Sequence, residues 1–204
     1  MIPTWHRGAS LHGEPYPTRH PVPRRFRGGD IGARDLMDLT QEQELTATAA
    51  HELGHALLWL AGGLHVARAS TVSDGRRNGH AEALPTGVAG EARLRAIGLV
   101  GGERAEDRWL REAGLWNPDR AALVEIAAHE DRAWLLQHTT PRPAFGTGGP
   151  DYTALHEMAD EALDPVWPLL MTALPILVRQ GVMSGEELAA CTGLPLPPPM
   201  ADPH

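Results

Sequence analysis

Residues His51-Glu52-Leu53-Gly54-His55 read H-E-x-x-H. On an α-helix, residues four apart lie one turn above each other on the same face, so His51 and His55 can aim two imidazoles at one metal ion. Glu52 is the next residue round the helix and can take a proton from a water at the ion's open position. Zn2+ suits this donor set best: it takes imidazole nitrogen, keeps one position for water and brings that water's pKa near neutrality. The bland alternative is a core helix with two satisfied histidines. It is costly, because two buried imidazoles beside a carboxylate need partners. With eleven histidines in the chain, a match could arise by chance, so the surrounding elements must support it.

They do. Thr40 followed three residues later by Gln43 is a capping-box signature. Leu45, Ala49, Leu53, Ala56, Leu57 and Leu60 recur at helical spacing, and Gly62-Gly63 closes the run. The spacing predicts a helix over about 40–61 with the motif at its middle. Leu64 to Val72 and His80 to Leu84 read as two short strands, separated by the turn signals Asp74-Gly75 and Asn78-Gly79. A second helix is expected over about 90–113. Gly101-Gly102 inside it weakens an isolated helix and implies that another element packs very close. Asn117-Pro118 opens a third helix, with Asn117 as N-cap and Pro118 at the first helical position. A Pro/Gly-rich loop over 139–149 precedes a fourth helix from Pro150-Asp151 through Ala162. A fifth is expected over 165–180, with Trp167, Leu170, Leu174 and Leu177 buried. Ser184 caps a last short turn, and 194–204 is a Pro-rich tail expected to be disordered.

The chain of 204 residues is long enough for one domain with a sizeable core. Its formal charge of −8 disfavours general nucleic-acid binding. The basic, proline-rich stretch around Arg19–Arg27 reads as a solvated arm, with an acidic or nucleic-acid partner as the lesser alternative. Cys191 is the sole cysteine, so no internal disulfide can form, which is compatible with a cytoplasmic protein. The most apolar stretch, Val166 to Val178, is short and contains Pro168 and Pro175, so no membrane span is expected. The N-terminus lacks the apolar core of a signal peptide. All basic charge is arginine, with no lysine.

Three further features could bind metal on paper. His80 sits at the end of a turn. His129-Glu130 is half a motif. His156 and Asp160 stand at i, i+4. Each is read as a solvated or exposed polar residue, since none has a supporting signature.

Taken together, these residues resemble the peptidase domain of the FtsH-type ATP-dependent zinc proteases, and more closely the stand-alone proteins that carry it without the ATPase. The resemblance rests on Thr48-Ala49-Ala50-His51-Glu52-Leu53-Gly54-His55-Ala56, on the strand pair ending Gly79-His80-Ala81-Glu82, on Val100-Gly101-Gly102-Glu103-Arg104-Ala105-Glu106-Asp107, and on the closing segment from Val166-Trp167 to Ser184-Gly185-Glu186-Glu187-Leu188. It covers about residues 40–190. Leu53 departs from the alanine usual in the family, and there is no Gly-rich phosphate-binding motif.

The resemblance implies a mainly α, zincin-like fold: a helical bundle around the H-E-x-x-H helix with a small β-hairpin or short sheet beside it. The organisation expected is a flexible Pro/Arg-rich arm over 1–36, a peptidase domain over 37–192 and a Pro-rich tail over 193–204. It implies a zinc metallopeptidase working without its own ATPase. His51, His55 and an aspartate would hold the metal, and Glu52 would act as general base. The family takes its third ligand from a helix after the G-G-x-x-A-E segment. Carried over, that position falls on Asp119, with Asp151 as the rival; an N-terminal capping or dipole role is the plain alternative for either. Glu106 would hydrogen-bond a ligand histidine from behind, or else be a helix-surface charge. Substrates would be flexible peptides, or unfolded proteins brought by a separate delivery partner. Two other readings share these residues: a catalytically silent metal-binding module, and a repressor-cleaving peptidase of the ImmA/IrrE type, from which the strand pair and the G-G-x-x-A-E helix differ.

Overall fold

The computed structural model of the chain describes residues 5–7, 17–26, 33–72, 79–139 and 152–201. Helix α1 (Gln41–Ala61) runs through the centre. Thr40 and Gln43 form a reciprocal capping box at its start, as the sequence predicts. From Ala47 to Leu60 every residue of α1 is buried, so both of its faces have partners.

The closest partner is α2 (Glu91–Glu112). The two helices pack backbone to backbone: a Cβ on Gly54 would overlap the Gly101 carbonyl, and one on Gly101 would stand 3.0 Å from the Gly54 carbonyl oxygen. Gly98 makes room for the Trp59 indole. The glycines that weaken α2 as an isolated helix thus allow it to approach α1.

Beside α1 lies a three-stranded antiparallel sheet, ordered β4 (His80–Leu84), β3 (His65–Ser70), β5 (Val182–Ser184). His65 pairs with Leu84 and Ser70 with His80, with an irregularity between Val66 and Arg68. Strand β4 lies at the sheet edge, next to the motif helix. The turn between β3 and β4 expected at 73–78 lies outside the described residues.

The third helix of the sequence reading is two. Helix α3 (Pro118–Ala127) starts at the Asn117 cap and ends at Ala128, whose backbone leaves helical geometry. Helix α4 (His129–Thr139) then sets off separately. The fourth and fifth expected helices, conversely, are one. Helix α5 (Tyr152–Gln180) passes through Pro165, Pro168 and Pro175. Proline costs a helix one hydrogen bond and a steric clash. Here an apolar face including Leu155, Leu163, Leu170 and Leu177, all buried, holds the helix together against the core. By length and composition α5 could cross a membrane, while that apolar face serves the core. Helix α6 (Gly185–Thr192) closes the domain with a second capping box, between Ser184 and Glu187.

Both ends of the chain are tied to this body. Strands β1 (His6–Arg7) and β2 (Pro17–Thr18) pair antiparallel. The Arg19 backbone N–H and the His20 ring both donate to Glu125, at 2.6 and 2.7 Å. A 3-10 turn (Arg34–Met37) follows, with Met37 buried. The described part of the expected arm therefore packs on the domain. So does the described part of the tail: His65 donates to the Pro197 carbonyl at 2.8 Å, and the Met200 N–H to that of Pro85 at 2.7 Å.

Candidate metal centre

The i, i+4 spacing on α1 stacks His51 and His55 edge to face, with ring centres 4.7 Å apart. Each ring is fixed from behind. His51 Nδ1 donates to Glu106 Oε2 at 2.9 Å, and His55 Nδ1 to the Gly98 carbonyl at 2.8 Å. An acceptor at Nδ1 places the proton there and leaves the Nε2 lone pair for a metal. His55 also stacks on Trp59, at 5.4 Å and 16°.

The third donor comes from α4. Asp131 Oδ2 lies 3.4 Å from His51 Nε2 and 3.4 Å from His55 Nε2. These distances are long for charge-assisted hydrogen bonds, which run to about 2.9 Å. They match the edges of a tetrahedron: bonds of about 2.0–2.1 Å to a central ion put neighbouring ligand atoms about 3.3–3.4 Å apart. The three donor atoms lie within 4.8 Å of one another, so this buried group could hold a metal ion.

A second observation fits an ion at this place. A Cβ built on Gly102 would lie 2.7 Å from His51 Nε2 and closer still to His55 Nε2. Gly102 thus leaves room for the imidazole edges that carry both Nε2 atoms, His55 Cε1 included. The donor set of two imidazoles and one carboxylate is chemically suited to a divalent transition ion.

Electrostatics concentrate negative charge there. Burial by itself would lower the His51 pKa, but hydrogen bonds to Asp131 and Glu106 outweigh it and raise the pKa to about 10. His55 is raised for the same reason, burial being overcome chiefly by the Asp131 charge. Burial pushes the Asp131 and Glu106 carboxyls up. Both nonetheless lie below the usual carboxylate range, Asp131 through the two imidazoles and Glu106 through Arg34 and His51. A cation at the three donors balances the charge that protons otherwise balance.

Glu52 stands apart from these pairings. It is only 6 % exposed, and desolvation raises its pKa against the opposing charges of His51 and His55. It lines a cavity of about 920 Å³ together with His51, His55 and Asp131. Across it, the start of β4 approaches so closely that a Cβ on Gly79 would overlap the Glu52 side chain.

Of the residues expected at the site, His51, Glu52, His55 and Glu106 come together. Asp119 does not. It sits at the start of α3 with its side chain 57 % exposed and 3.7 Å from Arg25. The favourable place of a carboxylate in the first turn of a helix accounts for it without a metal. Asp151 lies outside the described residues. The carboxylate that reaches the imidazoles is Asp131, which the sequence reading left unassigned beside His129-Glu130. One signal was available: Asp131 lies three and four residues before Trp134 and Leu135, so it shares their inward side of α4.

The neighbour of Asp131 anchors α4. Arg132 is buried and donates to Glu103 at 2.6 and 2.8 Å and to Glu125 at 3.0 Å. His156, read from sequence as a solvated face, is fully buried with Nε2 2.9 Å from Glu103 Oε1. Its i+4 companion Asp160 instead pairs with Arg104 and Arg19, at 2.7 and 2.9 Å. His80 and His129 line the cavity. No family model matches this chain, and no curated protein matches it.

Proposed function

We propose that this chain is a zinc-dependent metallopeptidase that hydrolyses peptide bonds without an ATPase of its own. One observation carries the reading. Glu52, buried and with no hydrogen-bond partner among the described residues, opens onto the same cavity as the His51–His55–Asp131 donor set. A purely structural metal site needs no such carboxylate.

His51, His55 and Asp131 would hold the ion, and Zn2+ would polarise the scissile carbonyl and lower the pKa of an attacking water. The residues of the chain do the rest. Glu52 accepts the proton of the attacking water, and its raised pKa brings it nearer the value a general base needs at neutral pH. It then passes that proton to the leaving amine. Glu106 and the Gly98 carbonyl keep both imidazoles turned toward the donor cluster. Edge strand β4 contributes His80 to Ala83 to the cavity wall, so an extended peptide can add to the sheet there through backbone hydrogen bonds. The kinship to FtsH-type peptidase domains is part of this proposal. It is supported by the order of the motif helix, strand pair and glycine-bearing second helix.

The test is metal content and cleavage of an unfolded protein such as casein, by wild type and Glu52→Gln. One zinc per chain in both, with cleavage by wild type alone, is the expected result. Equal zinc with no cleavage by either would make the chain a catalytically silent metal-binding module. A folded wild type that takes up no zinc would end the enzyme reading.

A further inference from the structure

Resting on that peptidase reading, we infer that the cleft selects extended peptide segments rich in arginine or lysine. Beyond the donor cluster, the described residues lining the cavity carry carboxylates on separate elements: Asp35 on the 3-10 turn, Glu44 on α1, Glu82 on β4 and Glu130 on α4. The two arginines among them are committed elsewhere. Arg34 grips Glu106 bidentately at 3.0 and 2.9 Å, and the charges of Glu52 and Glu44 also bear on it. One guanidinium thus stands among three carboxylates. Arg95 donates to Glu91 at 3.0 Å and to the Ala83 carbonyl at 3.2 Å. Among the described residues Glu82 pairs only with the exposed Arg68, at 3.4 Å.

A divalent ion at His51, His55 and Asp131 is matched by the charges of Asp131 and Glu52. The described lining residues therefore remain net negative after the ion is counted. Glu52 supplies the independent sign that this negative cavity takes a ligand: it is nine-tenths buried, makes no hydrogen bond among the described residues and lines the cavity. A cleft of one charge sign with low-dielectric walls focuses its field and draws in the opposite sign. Cationic side chains flanking a peptide laid along β4 are within the field of Glu82 on that strand and of Glu44 and Glu130 across the cavity.

The experiment measures binding rather than turnover, so it stands apart from the peptidase reading. The zinc-loaded Glu52→Gln protein is titrated by fluorescence anisotropy with a labelled decapeptide carrying four arginines, and with the same peptide carrying neutral citrulline. At about 50 mM salt the arginine peptide is expected to bind on the order of tenfold tighter, and the two to converge near about 0.5 M salt as screening grows. The double variant Glu44→Gln/Glu130→Gln should lose most of the preference. Glu157→Gln/Glu161→Gln, which removes exposed charges on α5 away from the cavity, should keep it. Equal binding of the two peptides overturns the inference. So does a preference that survives loss of Glu44 and Glu130 or vanishes with Glu157 and Glu161, since that is attraction to the whole surface. Hydrolysis by wild type is scored separately. Failure to cut any peptide would sink the peptidase reading while leaving the charge preference measured.

Discussion

Arg34 holds Glu106 with both terminal guanidinium nitrogens, at 3.0 and 2.9 Å, while Glu106 accepts the Nδ1 proton of His51 at 2.9 Å. A residue of the N-terminal stretch thus stands two contacts from the candidate metal donors. Glu106 is fully buried, so removing its arginine leaves that charge with His51 alone. Arg34→Ala should destabilise the fold by about 3 kcal/mol and weaken zinc binding by about 10–100-fold. Arg34→Lys should recover only part of each, because an ammonium cannot make the bidentate contact. Urea unfolding of the metal-free protein and chelator competition measure the two effects. An Arg34→Ala protein with unchanged zinc affinity would show that Glu106 holds His51 without help.

Gly102 and Gly101 are neighbours with different expected phenotypes. Gly102→Ala crowds a methyl group against both Nε2 atoms, so zinc uptake should be lost. Helical circular dichroism should persist, since alanine favours a helix over glycine by about 1 kcal/mol. Gly101→Ala meets Leu58 and the Gly54 carbonyl instead. It should lower thermal stability, with zinc still bound by the fraction that folds. Full zinc affinity in Gly102→Ala would move the ion away from this face.

Asp131 and Asp119 are separated by one pair of variants. Asp131→Ala should weaken zinc binding by at least about 100-fold, since even outer hydrogen-bond partners of ligands carry 10–100-fold. Asp119→Ala should leave affinity unchanged, because its carboxylate is exposed and lies beside Arg25, away from the imidazoles. Equilibrium dialysis followed by mass spectrometry reads both; the reverse pattern would refute the α4 ligand.

Zinc affinity should fall as pH falls. The His51 pKa is raised to about 10 in the absence of an ion, so at neutral pH the metal-free site carries a proton that the ion must displace. Binding therefore releases protons, and each one released costs about tenfold in affinity per unit of pH lost. Calorimetry in two buffers of different ionisation enthalpy should give different apparent heats. Identical heats would mean that the imidazoles are already neutral.

Gly79 is expected to govern turnover without touching the metal. A side chain there would displace Glu52, and a shift of about 1 Å in a reacting group can cost about 100-fold in rate. Gly79→Ala should therefore depress kcat with zinc content intact. A fall in zinc content instead would make its role structural.

Some of this was legible in the chain and some was not, and the line falls between local and non-local causes. The capping box of Thr40 and Gln43, the glycines after Ala61 and the apolar spacing between them are properties of contiguous residues, so they determine α1. With it they place His51, Glu52 and His55 on adjoining positions of one helix. The pair Gly101-Gly102 announced a close approach, though not that one glycine spares the Gly54 backbone and the other the imidazoles. Asp119 looked like a ligand for reasons that are themselves local, a cap and a helix start, and those reasons are complete without a metal. The proline rule failed in α5 because burial of its apolar face outweighs the lost backbone bonds. The chain alone therefore determined two candidate donors and the proposed base, which one helical turn brings together. Only the tertiary structure decided the third candidate donor and the support behind the site. Asp131 reaches the imidazoles because α3 ends at Ala128 and α4 returns across α2, held there by Arg132 on Glu103. No spacing rule encodes a contact that depends on where a second helix is packed.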